Sequence, residues 1–259
     1  MNGDSSLIRK IVEFFWIAAL IFLYFDLRGV LFSKPVKGFY CDDIYIQKPF
    51  RGDTISFRTL IIVSLTSTVI LILIKELLSS SKHGGKSFIW RFKNYYKTYS
   101  LGLTYVGAIT NILKFFVREL RPHFIDSCRP DWSNINCSQG LVTKYNCTGN
   151  GPKWLVDKDI YQSFPSGHAS VSFYTFVFVF LYTRSKVREE SSQMSYLSNV
   201  VQIFFFSWAI TCCVTRVTDF RHHWWDVVLG ALLGVIGAIL TVKYGSINYL
   251  ATTDKDHQR

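Results

Sequence analysis

Three short polar stretches hold the residues that can do chemistry. Thr211 to Asp226 reads TCCVTRVTDFRHHWWD and sets Arg216, His222 and Asp226 at the boundary between two apolar runs. His222 and Asp226 are four residues apart. On a helix that spacing gives them one face, where the carboxylate holds one imidazole nitrogen and leaves the other free to attack. A second stretch, Phe164-Pro165-Ser166-Gly167-His168-Ala169-Ser170, reads as a helix start with Ser166 as cap. Its Gly167 lets backbone N–H groups approach an anion at the positive end of the helix dipole, with His168 beside them. The third runs from Lys114 to Arg121-Pro122. If helical throughout, it puts Lys114 and Arg121 on one face, about 10 Å apart along the axis, with Arg118 on the same face. Each stretch alone has a plainer reading: a polar helix anchor, an ordinary N-cap, or basic side chains snorkelling at a span end. Together, three cations, two histidines, a carboxylate and a set of N–H groups form an outfit for gripping a phosphate and passing it to nitrogen.

Something must bring these stretches together, and composition says what. The chain has 259 residues, 49% hydrophobic and 17% aromatic, a loading that points to an integral membrane protein rather than a soluble domain. The formal net charge of +11 would suggest nucleic acid in a soluble chain. Here the basic residues fall mostly in short loops between apolar runs, which is the pattern that orients a membrane protein, so no nucleic-acid partner is expected. Six apolar runs are read as spans, near 11–31, 59–74, 98–117, 166–182, 198–215 and 226–242. The fold expected is an all-α polytopic membrane protein: one domain over residues 1–250 with six transmembrane helices, and a short cytoplasmic tail over 251–259. The first run follows Arg9 and Lys10 and lacks a small-residue cleavage site, so it reads as a retained anchor.

Loop charge sets the orientation. The stretch from Ser79 to Lys97 carries Lys82, Lys86, Arg91, Lys93 and Lys97, and the loop after the fourth run carries Arg184, Lys186 and Arg188. Both are expected to be cytoplasmic loops, with Trp90, Tyr95 and Tyr96 at the inner interface. The long loop from Pro122 to Phe164 is then lumenal or extracellular. It holds the sequons at Asn136 and Asn146, glycosylation acceptors on that side only. It also holds Cys128, Cys137 and Cys147, while Cys41 lies in the other large outer loop; four cysteines allow three pairings, and the sequence does not choose. Cys212 and Cys213 read as buried thiols. All three polar stretches fall at the outer ends of spans, so the site is expected at the outer face and both termini in the cytoplasm.

Lys114 with Arg121-Pro122, then Pro165-Ser166-Gly167-His168, then Arg216 with His222 and Asp226, resemble the three-part signature of the phosphatidic acid phosphatase type 2 superfamily. The Arg121-Pro-His-Phe run, the His222-His-Trp run and the segment from Gly38 to Asp43 resemble the animal lipid phosphate phosphatases within it. The resemblance spans about residues 37–229. One departure is Thr215, where the family usually has serine; the hydroxyl is kept. The resemblance implies a metal-independent lipid phosphate phosphatase acting on phosphatidate, lysophosphatidate, ceramide phosphate or sphingosine phosphate at a plasma-membrane outer face, without a cofactor and with some self-association. It further implies the roles. His222 is the nucleophile and forms a phosphohistidine, Asp226 orients it, and His168 is the general acid and base. Lys114, Arg121, Ser166, Gly167 and Arg216 bind phosphate.

Other readings were open. His168, His222, His223, Asp219 and Asp226 could ligate a metal, although basic residues already supply the charge a magnesium ion would bring. A transporter would want its charges at mid-span rather than at the ends. Arg51-Gly52-Asp53 is the tripeptide that integrins read, which would make the first outer loop an adhesion site.

Overall fold

The computed structural model describes residues 37–83, 85–186 and 192–244. The first expected span and the tail from 251 lie outside the described residues. Five long helices carry the fold: α1 (Phe57–His83), α2 (Gly85–Val117), then, after two one-turn helices α3 (Phe124–Cys128) and α4 (Lys153–Asp157), α5 (Gly167–Lys186), α6 (Ser192–Thr218) and α7 (Trp224–Tyr244). Among the described residues the only extended pairings are the isolated bridges Phe39–Val142 and Pro130–Cys147, so the protein is all-helical here. Among the described residues, four helices are long and apolar enough to cross a membrane: Phe57–Leu78, Phe88–Val117, Met194–Thr218 and Trp224–Tyr244.

The helix that misses that criterion is the central one. α5 packs against α1, α2, α6 and α7, so its faces meet protein rather than lipid. It can therefore carry buried Ser170, Ser172, Thr175 and Thr183. Their hydroxyls bond back to carbonyls three or four residues earlier, as Thr175 does to Val171 at 2.9 Å and Thr183 to Val179 at 2.8 Å. The outer helices show the opposite pattern, with Ile62, Ile70, Ile203, Leu232 and Ile236 left on the surface.

Glycines set the closest helix contact. A Cβ on Gly230 would lie 2.4 Å from the Ser166 carbonyl oxygen, and one on Gly234 would lie 2.3 Å from that of Ser170. The two glycines, four apart on α7, let its backbone lie against the start of α5, the small-residue contact typical of membrane helices. The Ser166 N–H thereby reaches the Asp226 carbonyl at 3.0 Å.

Two expectations need correction. The stretch from Ser79 to Lys97 is helical up to His83 and again from Gly85, so the apolar runs understated α1 and α2. Charged residues continue both helices, and Arg91 is buried against Glu76 at 2.7 Å with Tyr182 completing the group at 3.0 Å. Tyr95 is not an interfacial belt residue; it is buried and meets the Tyr182 ring edge-on at 5.0 Å.

The segments at the other end of the bundle form their own small core around Phe39, Phe124, Val142, Leu155 and Ile160. Disulfides Cys41–Cys137 and Cys128–Cys147 fasten it, resolving the pairing that spacing left open. Cys212 and Cys213 are free, the first buried and the second half-buried. Asn136 and Asn146 are exposed.

Candidate active site

The helices alternate in direction, so the C-terminal ends of α2 and α6 and the N-terminal ends of α1, α5 and α7 meet at one end of the bundle. Lys114, Arg121, Ser166, His168, Arg216, His222 and Asp226 are all buried there. The three polar stretches do converge.

They converge by a different local route from the one the spacing suggested. α2 stops at Val117, and Arg118 takes a left-handed conformation with φ 49°. Arg121 therefore sits in a loop and not one helical face beyond Lys114. Both still meet the segment before α5: Lys114 Nζ donates to the Gln162 carbonyl at 2.6 Å, and Arg121 Nε to the Asp159 carbonyl at 2.8 Å. Arg118 turns away and lies over the Tyr161 ring at 5.5 Å.

α7 starts at Trp224, which leaves His222 ahead of the helix. Asp226 is thus three residues past the cap position His223 and reaches back to its N–H at 2.9 Å, as the acidic member of a capping box does. That bond, with a 2.5 Å bond from Ser163 Oγ, fixes the carboxylate 3.7 Å from His222 Nδ1. Catalytic contacts of this kind are often long until substrate tightens them. The other ring nitrogen, Nε2, lies 3.3 Å from Arg121 Nη1. Burial and the Arg121 charge push the His222 imidazole well below its ordinary value, so at neutral pH the ring is uncharged and nucleophilic. Arg121 itself is lowered by burial only to about 10 and stays a cation.

His223, next to His222 in sequence, would point away from it on a helix. Its Nδ1 comes within 3.3 Å of Asp226 Oδ2, because the two histidines precede the helix and are not held to helical spacing. The ring stacks on Trp225 at 4.5 Å.

His168 Nε2 lies 3.0 Å from the Ile55 carbonyl. A carbonyl only accepts, so this nitrogen carries a hydrogen and Nδ1 remains for proton transfer. Ser166 caps the helix as expected, its hydroxyl accepting from Ala169 N–H at 3.5 Å, but its own N–H is committed to the Asp226 carbonyl. The donors free of a helical partner are then those of Gly167 and His168, in the first turn of α5.

Several residues here gave no signal in the sequence. Asp159 pairs with Arg121 at 2.8 Å and Arg221 at 2.9 Å. Asp53 pairs with Arg216 at 2.5 Å and Arg221 at 3.0 Å. The buried His123 accepts from Arg221 through Nε2 at 3.1 Å; burial and the nearby arginines hold its value near 3, so it is neutral. Arg216 also meets Asp219 at 3.1 Å. Asp53 was legible only as part of Arg-Gly-Asp. In the fold its carboxylate is ion-paired to Arg216 and Arg51 lies over Phe220 at 4.5 Å, while both Arg51 and Asp53 stay exposed.

The one grouping with metal-ligand proximity among the described residues is Glu119, His223 and Asp226, whose ligand atoms lie within 4.8 Å of one another. Its carboxylates are already engaged: Trp225 Nε1 donates to Glu119 at 2.8 Å, while Asp226 takes the bonds given above. Burial and the Asp226 charge raise Glu119 to about 7.

Long apolar helices with buried arginines and histidines gathered at one end fit a class, the polytopic membrane phosphatases. Comparison with known families narrows it. Residues 95–249 match the model of the PAP2 superfamily, and the chain belongs to that family. It is 31% identical over 250 residues to phospholipid phosphatase 1 of Rattus norvegicus, covering 94% of this chain and 86% of the relative. It is 36% identical over 224 residues to phospholipid phosphatase 2 of Homo sapiens (83% and 75%) and 37% identical over 226 residues to that of Mus musculus (83% and 79%). No solved structure matches the chain.

Proposed function

We propose that this protein removes phosphate from lipid phosphate monoesters by way of a phosphohistidine. The observation that carries the reading is the neutral, buried His222, with Nδ1 toward Asp226 and Nε2 beside an arginine. The phosphate is held by Lys114, Arg121 and Arg216, whose charges offset the charge moving through the transition state, and by the Gly167 and His168 N–H groups. His222 Nε2 attacks phosphorus, and the phosphorus–alkoxide bond breaks as His168, protonated at Nδ1 beside the bound phosphate dianion, gives that proton to the leaving oxygen. The neutral His168 then takes a proton from water, whose oxygen attacks the phosphohistidine. Inorganic phosphate leaves, and both histidines return to their starting state. Asp226 stays ionised and steadies the imidazole as it gains charge.

Membrane placement and the kinship with phospholipid phosphatases support a phosphate headgroup whose acyl chains stay in the bilayer: phosphatidate, lysophosphatidate, ceramide phosphate or sphingosine phosphate. Loop charge and the exposed sequons support six spans, a site facing the lumen or cell exterior, and both termini in the cytoplasm. Purified protein should release phosphate from a panel of these lipids in excess chelator. Turnover that needs an added divalent metal would overturn the mechanism; turnover of none of the lipids would overturn the substrate class.

A further inference from the structure

The segment ahead of α1 lies across the site. Thr54 donates to Asp219 twice, through N at 2.8 Å and Oγ1 at 2.7 Å. The Ile55 carbonyl takes hydrogen bonds from His168 Nε2 at 3.0 Å and Arg216 Nη2 at 3.1 Å. Asp53 Oδ1 accepts from Arg216 Nη1 at 2.5 Å and stands in an ion pair 3.0 Å from Arg221 Nε, without a hydrogen bond to it. Both terminal nitrogens of the Arg216 guanidinium are thereby tied down. Its Nε, in a residue 1% exposed, is buried without a partner.

A buried guanidinium N–H left open is costly unless something else accepts from it. A phosphate oxygen suits it, because an ionised acceptor takes a charge-assisted hydrogen bond from a single guanidinium N–H. Asp53 also separates two cations. Arg121, Asp159, Arg221, Asp53 and Arg216 form an alternating chain in which three positive charges are spaced by two negative ones. Without Asp53, Arg216 and Arg221 would repel across a buried gap.

We propose that Asp53 is a positioning residue of the phosphate site. It holds the far end of Arg216, in company with the Ile55 carbonyl, so that Nε–H is the donor presented to the substrate. This rests on the phosphatase reading above. It also assigns the Arg51-Gly52-Asp53 tripeptide a role inside the enzyme. A carboxylate that merely filled an empty anion site would do the opposite, since its removal would free Arg216 for phosphate.

Orthovanadate, a phosphate mimic, separates these cases when used as an inhibitor of nitrophenyl phosphate hydrolysis by the full-length protein. Wild-type turnover and its inhibition come first; their absence would fail the phosphatase reading and not the role of Asp53. With that secured, Asp53→Asn should weaken vanadate inhibition roughly 10-fold or more, the size expected when a charge-assisted contact is lost. KM should rise more than kcat falls, and Asp53→Glu should recover part of the affinity. Inhibition as tight as wild type would mean that Asp53 only supports the fold, and tighter inhibition would make it a competitor; either overturns the proposal. If Asp53→Asn does not fold, Asp53→Glu and Thr54→Val carry the test. Thr54→Val loosens the segment without touching a charge, and unchanged vanadate inhibition in both variants would equally overturn it.

Discussion

Arg121 Nη1 stands 3.3 Å from His222 Nε2, so the nitrogen proposed to attack and a cation proposed to bind phosphate stand side by side. The same guanidinium donates through Nε and Nη2 to Asp159, at 2.8 Å each, which fixes its plane. Lysine keeps the charge but cannot keep the fork. Arg121→Lys and Arg216→Lys should each lower kcat/KM by roughly 100-fold or more, the range found when a transition-state donor is removed. Near-normal turnover in either variant would reduce these arginines to anchors.

The proposed covalent intermediate is open to trapping. His222→Ala should abolish turnover and retain vanadate binding. His168→Ala removes the proton donor and the later water activator but leaves the attacking nitrogen. With nitrophenyl phosphate, whose leaving group needs no protonation, an acid-labile and base-stable phosphate adduct should accumulate on His222. A label mapped to Ser166, or one stable in mild acid, would reassign the nucleophile to a hydroxyl.

Two glycines should respond in opposite ways to the same added methyl group. A Cβ on Gly167 would meet only Thr110 Cγ2, at 3.9 Å, so Gly167→Ala should melt like wild type. Its methyl group would intrude where the substrate phosphate meets the first turn of α5, and kcat/KM should fall at least about 10-fold, on the order of one lost hydrogen bond. Gly230→Ala would instead press on the Ser166 carbonyl at 2.4 Å. Overpacking of that kind costs about 1–3 kcal/mol. Melting temperature and activity should drop together, and a stable, active Gly230→Ala protein would contradict the close approach of α7 to α5.

Stability should fall with acidification. The unfolded chain protonates its histidines through about pH 6.5, whereas folded His123 stays neutral down to about 3 and His222 also lies well below the ordinary value. A depressed folded value gives stability that is present above pH 6.5 and lost as pH falls below it. The loss approaches about 1.4 kcal/mol per pH unit for each such group. Melting curves at pH 7, 6 and 5 should show the decline, and His123→Asn should flatten it. An unchanged slope in that variant would contradict a neutral, buried His123.

The disulfides can be tested without mutation. Cys41–Cys137 closes a span of 96 residues and Cys128–Cys147 one of 19. In the loop-entropy account each removes about 3–5 kcal/mol of unfolded-state freedom. The core they fasten carries Asp159 and so holds Arg121. Reduction should therefore lower both stability and activity, and full activity after complete reduction would separate that core from the site.

The sequence by itself determined the class of protein, its family, and which side chains crowd the site. Those are matters of residue type and apolar run length, which survive without coordinates: Lys114, Arg121, His168, Arg216, His222 and Asp226 were all legible. Helical spacing was a poor guide to how they meet. α2 ends four residues before Arg121 and α7 begins two residues after His222, so loop conformation and not a shared helix face brings each to the pocket. Tertiary structure alone decided the disulfide pairing, the central place of α5, and the partners of Asp53, Asp159, Arg221 and His123. None of these follows from periodicity, because each depends on which distant segment lies opposite. Asp53 and Arg216, 163 residues apart, meet at 2.5 Å; a pairing across that separation is set by how the helices pack, and no local pattern in the chain encodes it.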